Sequence, residues 1–513
     1  MSDYARRMVG IEALNEEKER WTGEGELVAV IDSGIDATHP DLHDRVESFE
    51  VVEGAMATDQ VGHGTHVSGT IAGTGKASNK EIRGMAPKAK LVGLGIVEEG
   101  GTLCLPVDLG DLLRRVADKG AKIINLSWGT AVASVYENGS MAVDTFARER
   151  PDVLVVVAAG NSGVAPGGYP AFYSIGSPAT AKNVLTVGAC ASDRKEFADV
   201  TWGRFKAASF PAAPTSNEAV VGDPDRPAAL SSRGPTDSEA VKPDVIAPGT
   251  AILAPRASEA PEAHFWRPCP KFENRYGFMV GTSMATPVVS GAAALLRQYL
   301  REEHKKPDPS SALLRAILVA SACRIPWSRE PADERDCGYP DFDQGFGRID
   351  LRTVLPHKGA RKGRKLELFD VAHEEPDALE RGAPAESGRK AAHGYRFAVP
   401  AGAKGALRIV LAWTDYSVRG IQNLLKLDLA GPGGLRQRGN QEHTWLQPPE
   451  KYLDLKFKEL RFDNRNNVQQ VVVKDPPPGD YRIRVVAQNT LFPPQGFALC
   501  IAGELKGEVE REN

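Results

Sequence analysis

The stretch Gly281-Thr282-Ser283-Met284-Ala285-Thr286-Pro287 carries the strongest structural and chemical signal in this chain. It places a serine between a glycine turn and the apolar run 288–296, and that run predicts a buried helix. A serine at the start of such a helix has an exposed hydroxyl at the positive end of the helix dipole. Acyl-transfer chemistry needs this combination of a nucleophile and a partial positive charge. The alternative is an ordinary helix cap, since serine and threonine are common there.

Two further segments supply the partners that a serine nucleophile needs. The apolar run 27–31 predicts a buried parallel strand, which ends at Asp32. His63 follows a glycine at the start of a helix of small residues. A histidine can take the serine proton when a carboxylate holds its tautomer. We therefore predict that Asp32, His63 and Ser283 act together, and that His66 packs within its helix instead of serving as the base.

In the order Asp, His, Ser, these segments resemble the subtilisin family of serine peptidases. Four more segments match that family, namely 124–129, 155–163, 231–235 and 242–249. The resemblance implies an α/β fold, a parallel sheet with helices on both faces, and a serine endopeptidase that cleaves polypeptides. The alternatives are a catalytically silent subtilase that serves as a protein-binding scaffold, and a peptidase whose activity is regulated.

The resemblance also assigns roles around the nucleophile. It implies that Asn161 donates to the oxyanion together with the backbone N–H of Ser283. It implies two strand edges that sandwich an extended substrate, so we expect broad specificity. Ala158, Ala159 and Gly160 would form one wall of the first specificity pocket. Because they are small, we expect room there for a hydrophobic or aromatic side chain of the residue before the scissile bond. The candidate substrate-binding residues are Gly100, Gly101, Thr102, Ser127, Trp128, Gly129, Ala158, Ala159 and Gly160.

Composition is typical of a globular enzyme and excludes other classes. The 513-residue chain has 25% charged residues and a net charge of −4, which gives no basic stripe for nucleic acid. It contains no run of 18 apolar residues, so no membrane span is expected. The start of the chain lacks an apolar signal region, which favours a cytoplasmic protein. The alternative is the mature region of a secreted one.

The chain changes character after the predicted peptidase domain, 1–357. A basic connector and first strand region, 358–390, precedes short alternating runs that predict an antiparallel, jelly-roll-like β-sandwich over 391–506. This half resembles the sandwich of oxidatively stable alkaline subtilases, and a partner protein could dock there. The runs are 395–399, 407–413, 471–473, 481–486 and 497–502, and the motifs that carry the resemblance are 177–184, 411–415, 466–468 and 479–481.

Calcium and disulfides are the open questions of the sequence. Relatives with this sandwich often bind calcium, but Lys426 stands close before Asp428 where oxygen ligands are expected. Calcium is therefore possible but doubtful, no cofactor is required, and no metal ligand is assigned. Asp41 is expected to lie in a surface turn. Six cysteines are scattered along the chain, and Cys323 and Cys337 could pair in a secreted protein.

Overall fold

The computed structural model describes residues 3–16, 19–326, 340–382, 387, 389–440 and 463–512. Eight α-helices lie within these residues, and none has both the length and the apolar character that crossing a bilayer requires. The helices are α1 (Asp3–Met8), α2 (Ile11–Leu14), α3 (His63–Ala72), α4 (Gly110–Ala117), α5 (Asn138–Glu149), α6 (Trp202–Phe205), α7 (Thr282–Glu303) and α8 (Ser311–Ser321).

Fourteen strands belong to the N-terminal half of the described chain. They are β1 (Leu27–Asp32), β2 (Val46–Val51), β3 (Lys90–Gly95), β4 (Ile123–Leu126), β5 (Thr130–Ala131), β6 (Leu154–Ala158), β7 (Gly176–Ser177), β8 (Leu185–Cys190), β9 (Val245–Pro248), β10 (Ile252–Pro255), β11 (Arg267–Pro268), β12 (Tyr276–Met279), β13 (Ala322–Cys323) and β14 (Arg348–Ile349).

Nine of these strands form one sheet in the order β13-β14-β9-β8-β6-β4-β1-β3-β2. All neighbours in it are parallel except β13 and β14. Apolar residues of β1 alternate between two clusters: Val28 and Val30 pack with α3 and α7, and Ala29 and Ile31 pack with α4 and α5. Helices therefore cover both faces, which confirms the predicted α/β architecture.

The C-terminal half contains two antiparallel sheets, ordered β15-β22-β17-β20 and β19-β18-β21-β16-β23. Their facing sides enclose a separate apolar core that includes Trp413 and the stacked pair Phe397 and Tyr481. This confirms the predicted all-β region. The strands are β15 (Arg364–Val371), β16 (Ala392–Val399), β17 (Ala406–Ala412), β18 (Asn423–Ala430), β19 (Arg436–Arg438), β20 (Val468–Lys474), β21 (Gly479–Thr490), β22 (Phe497–Glu504) and β23 (Lys506–Glu512).

Helix α8 joins the two halves. Its eleven residues are buried on every side, because the four-stranded sheet of the sandwich packs against it. Strand β22 shows how: Phe497, Leu499 and Ile501 point into the sandwich core, whereas Ala498 and Cys500 belong to the cluster around α8. Small side chains on that face allow the helix to approach the sheet closely.

Two motifs from separate halves of the sequence meet at this junction. Lys182 is buried and its ammonium donates to the Asp415 carboxylate at 2.8 Å and to the carbonyls of Val418 and Gly420. The amide of Asn183 donates to the Asp415 carbonyl at 2.7 Å and accepts from the Asp415 N–H at 2.8 Å. The segments 177–184 and 411–415, which carried the sequence resemblance, therefore bind each other.

A buried guanidinium reinforces the same junction. Arg315 of α8 donates to the carbonyl of Lys182 at 3.1 Å and to that of Trp413 at 2.7 Å. Asn467, from a third motif, donates to the side-chain oxygen of Asn183 at 3.0 Å. These contacts give Lys182 and Arg315, two buried cations of the catalytic half, partners from the sandwich, as buried charges require.

Candidate active site

Asp32 and His63 form a direct pair at the carboxyl edge of the large sheet. Asp32 ends β1, and His63 begins α3 after Gly62, which has a left-handed backbone. The Nδ1 atom of His63 lies 2.7 Å from Oδ1 of Asp32, whose carboxylate is nearly fully buried. The same oxygen accepts the N–H of Ser33 at 2.7 Å. The geometry fixes the imidazole with Nδ1–H toward the carboxylate and leaves Nε2 for another partner.

The charge state of His63 follows from its neighbours. Burial opposes protonation of the ring, but the charge and hydrogen bond of Asp32, with the charge of Asp59, more than offset it. The pKa of His63 is therefore raised above its ordinary value of 6.5. A raised pKa makes the imidazole a stronger base toward the proton of a nearby hydroxyl.

Ser283 lies in the first turn of α7, which begins at Thr282. Its hydroxyl donates to the backbone carbonyl of Ser127 at 2.7 Å. The hydroxyl of Ser127 donates in return to the carbonyl of Ser283 at 2.9 Å. A hydroxyl has one proton, so Ser283 cannot donate to His63 in this state. Proton transfer to His63 requires the Ser283 hydroxyl to turn away from Ser127.

Asn161 lies beside Ser283, and its side chain is exposed. Its side-chain oxygen accepts the Thr282 N–H at 2.9 Å and the Thr282 hydroxyl at 3.1 Å, which orients the amide group. A Cβ placed on Gly281 would lie 3.5 Å from Asn161 Nδ2 and 3.6 Å from the Ser283 nitrogen. The Asn161 amide and the Ser283 nitrogen therefore lie close to one another beside Gly281.

These groups share one groove of about 1020 Å³. It contains His63, Asn161 and Ser283, and of the predicted substrate-binding residues it contains Gly100 and Gly101. Both glycines lie at the exposed tip of a hairpin that is closed by the bridge between Val97 and Leu103. Apolar side chains line much of the groove: Met56, Val61, Phe205, Phe265, Trp266, Met279 and Met284.

The remaining predicted substrate-binding residues surround the site without lining this groove. Thr102 is exposed, and its carbonyl accepts the N–H of Glu98 in the hairpin. Ser127 directly follows β4, and the indole of Trp128 donates to the carbonyl of Ile31 at 2.8 Å. Gly129 lies against the carbonyl of Ser177.

The three residues before Asn161 are closely packed. Ala158 and Ala159 are buried, with 5% and 0% of their surface exposed. Gly160 has a φ of 110°, and a Cβ there would lie 2.8 Å from the hydroxyl oxygen of Ser232. Close packing and backbone conformation both require glycine at this position.

His66 is excluded as the base by its surroundings. It is fully buried, and its Nε2 faces the carbonyls of Ile252 and Gly277 at 3.1 and 3.2 Å. Burial, with the nearby His63, lowers the pKa of His66 to about 3. The ring is therefore neutral and structural, as expected from the sequence.

The structure adds residues that the sequence reasoning missed. Asn125 donates to the Ser127 hydroxyl at 2.9 Å and accepts from Ser290 at 2.8 Å, so a buried chain of hydrogen bonds supports the nucleophile. Asp59 contacts the elements that carry both Asp32 and His63. Asp59 stands four positions before His63, and its place before a helix start was the signal that could have revealed it.

The carboxylates of Asp41 and Asp428, which the calcium question concerns, are bound to other side chains. Asp41 lies in a turn, as expected, but it is fully buried, so its expected position at the surface is wrong. Its two oxygens accept the Ala77 N–H at 2.8 Å and the Tyr276 hydroxyl at 2.7 Å. Asp428 pairs with Arg438 at 3.3 Å. Within the described ranges, no group of three or more His, Cys, Asp or Glu side chains could hold a metal ion.

Among the described residues Cys323 forms no disulfide, and a guanidinium nitrogen of Arg408 lies 3.4 Å from its sulfur. Cys337, its expected partner in a secreted protein, lies outside the described residues.

Comparisons with known proteins show relatives of this chain. The subtilase family model matches residues 23–347. The serine protease AprX of Bacillus subtilis (strain 168) is 32% identical over 57% of this chain and 61% of its own length. The serine protease/ABC transporter B family protein tagA of Dictyostelium discoideum is 24% identical over 93% of this chain and 30% of its own length.

Among solved structures, sphericase is similar, with 27% identity, a TM-score of 0.46 and coverage of 67% of this chain and 97% of that one. This chain spans less than two thirds of either curated relative. The family model, by contrast, covers more than half of the chain and includes all the segments that build the groove. The chain therefore belongs to the subtilase family.

Proposed function

We propose that this chain is a serine endopeptidase. The hydroxyl of Ser283 attacks the scissile carbonyl, and Nε2 of His63 takes its proton and later delivers it to the leaving amine. Asp32 stays ionised and holds the imidazole. The amide of Asn161 and the N–H of Ser283 bind the oxyanion. An acyl-enzyme forms on Ser283, and water then hydrolyses it by the same proton transfers in reverse.

One observation carries this proposal. The 2.7 Å contact between His63 and Asp32 lies at the edge of a groove that also contains Ser283 and Asn161. A nucleophile, a base held by a carboxylate and an amide donor are the groups that acyl transfer needs. Asp32 ends β1, His63 and Ser283 lie at the starts of α3 and α7, and Asn161 follows β6 by three residues.

In the free protein the Ser283 hydroxyl is bound to the Ser127 carbonyl, so substrate binding itself would release it for proton transfer. An extended peptide that pairs with residues 127–129 would direct a backbone N–H at the Ser127 carbonyl. That N–H would compete with the Ser283 hydroxyl, which now occupies the carbonyl at 2.7 Å. The displaced hydroxyl is then free to donate to His63.

Recognition through the substrate backbone predicts broad specificity. The small residues Ala158 and Ala159 beside Asn161 leave room for a large side chain, which supports a preference for hydrophobic or aromatic residues before the scissile bond. Cleavage-site profiling on a peptide library measures this preference. A strict requirement for arginine, lysine or aspartate at that position would contradict it.

A fluorophosphonate probe tests the mechanism, because it labels only an activated serine. We expect rapid labelling of the wild type and none of Ser283→Ala or His63→Ala. Asn161→Ala should keep its KM and lose about 10²–10³ in kcat, because it removes a donor to the oxyanion. His66→Gln is the matched control, since a glutamine amide can still donate to one of the two carbonyls.

Retained peptidase activity in Ser283→Ala would refute the proposal. An unlabelled, inactive but folded wild type would favour the alternative, a catalytically silent subtilase that binds polypeptides or a partner protein.

A further inference from the structure

Asp59 is a buried carboxylate with four hydrogen-bond donors. Only 2% of its surface is exposed. One oxygen accepts the Ser33 hydroxyl at 2.8 Å and the Gly62 N–H at 2.7 Å. The other accepts the N–H of Thr65 at 2.9 Å and its hydroxyl at 2.6 Å. These donors come from two different elements.

Hydrogen bonds through Asp59 and Ser33 connect the strand end that carries Asp32 to the helix start that carries His63. Ser33 directly follows Asp32, and its hydroxyl accepts the N–H of Gly64 at 2.9 Å while it donates to Asp59. Gly64 directly follows His63 in α3. A Cβ on Gly64 would lie 2.1 Å from the carbonyl oxygen of Gly34, so the strand end and the helix start are in close contact here.

We propose that Asp59 is a positioning residue for catalysis, which clamps the strand end that carries Asp32 to the helix start that carries His63 and stabilises the protonated imidazole by its charge. The proposal rests on the proposed peptidase function, in which His63 alternates between neutral and protonated forms. A tether of this kind keeps two reacting groups within the narrow limits that proton transfer needs.

A simple helix cap is the competing explanation. Capping accounts for the contacts to Gly62 and Thr65, and carboxylates near helix starts are common. It does not account for the contact to Ser33, which lies outside the helix. The two explanations also differ in electrostatics. A cap stabilises only the start of the helix, whereas the proposed positioning residue also stabilises the protonated imidazole of His63.

The electrostatic effect has a defined direction. Burial raises the pKa of Asp59, and its hydrogen bonds oppose that rise. The charge of Asp59 adds to that of Asp32 in raising the pKa of His63. On the same helix, His66 is neutral near pH 7 because its pKa is about 3. The other charged or titratable side chains that line the groove around His63 are Glu99, Lys206, Glu259 and His264.

Asp59→Asn tests the charge while it keeps the size of the side chain. The acid limb of kcat/KM should shift to lower pH, because the imidazolium loses one of its stabilising charges. NMR titration of His63 in a Ser283→Ala background should show a pKa below that of the same protein with Asp59. Asp41→Asn is the matched control, a second buried and hydrogen-bonded aspartate that should leave both readouts unchanged.

Ser33→Ala tests the tether while it keeps the charge, and it serves if Asp59→Asn does not fold. We expect kcat to fall about tenfold with KM and the acid limb unchanged, because looser alignment costs rate and not affinity.

An unchanged His63 pKa in Asp59→Asn together with an unchanged kcat in Ser33→Ala would reduce Asp59 to a helix cap and overturn the proposal. The NMR titration does not need hydrolysis. If the wild type cleaved no peptide while the pKa still moved, the peptidase function alone would fail.

Discussion

Replacing Asp415 by asparagine removes the carboxylate that neutralises Lys182 at the junction of the two halves. The ammonium keeps its carbonyl partners but loses its only carboxylate among the described contacts. The Asp415 carboxylate also accepts the N–H groups of Gln422 at 2.8 Å and Asn423 at 2.9 Å. An asparagine has one acceptor oxygen, so its NH₂ group must face one of these donors.

The exposed fractions set the size of the effect. The side chains of Lys182 and Asp415 are 9% and 0% exposed, so water cannot replace the lost carboxylate. Removing one partner of a buried ion pair costs about 3–5 kcal/mol. The pair formed by Arg396 and Glu510 is a matched control on the same sandwich, with side chains 63% and 72% exposed. Exposed pairs contribute about 0–1 kcal/mol.

Urea unfolding of Asp415→Asn and Glu510→Gln, both in a Ser283→Ala background to prevent self-digestion, measures the difference. We expect the free energy of unfolding to fall by about 3–5 kcal/mol in the first and by less than about 1 kcal/mol in the second. Equal losses would show that the junction is open to water, and that the buried pair does not stabilise it.

Four further predictions concern single side chains and bound calcium. Tyr276→Phe should lower the free energy of unfolding by about 1.5–3 kcal/mol, because it removes the hydroxyl bound to the buried Asp41 carboxylate. A calcium chelator should leave the wild-type Tm unchanged, because the oxygens of Asp41 are bound to the Ala77 N–H and the Tyr276 hydroxyl. A fall in Tm on adding the chelator would contradict this. Activity should rise with pH through a pKa above 6.5, since His63 must be neutral to accept a proton, and a kcat/KM profile checks it. Peroxide should oxidise Met141, 44% exposed, before Met284, 2% exposed, and remove activity only in part. Peptide mass spectrometry with activity assays would refute this if complete loss accompanied oxidation of Met284 alone.

Local signals made the candidate catalytic residues predictable. Asp32 and Ser283 each stand where an apolar run meets a turn, and His63 begins a helix of small residues, so a short window of sequence contains each signal. The strand predicted over 497–502 lies within β22, because its side chains alternate between two apolar environments. Strand β23 was not predicted, since an edge strand dominated by charged residues has no such alternation.

Long-range partners were the part that the sequence concealed. Asp41 was placed at the surface because isolated carboxylates usually lie there, but Tyr276, 235 positions away, supplies the hydrogen bond that allows burial. Lys182 and Asp415 are 233 positions apart, and each alone predicts solvent exposure. The contact of the Ser283 hydroxyl with the Ser127 carbonyl depends on a side-chain rotation that no residue pattern encodes.

The burial of α8 limits how this protein can be divided or recombined. A catalytic half excised after residue 357 would expose one side of the helix to water and deprive Arg315 of the Trp413 carbonyl. We therefore infer that the sandwich is not an interchangeable attachment, and that limited proteolysis of the native chain would not release an active catalytic fragment. Joining this peptidase to another accessory domain would require a redesign of the side of α8 that faces the sandwich. The new partner would also have to supply a hydrogen-bond acceptor for the guanidinium of Arg315.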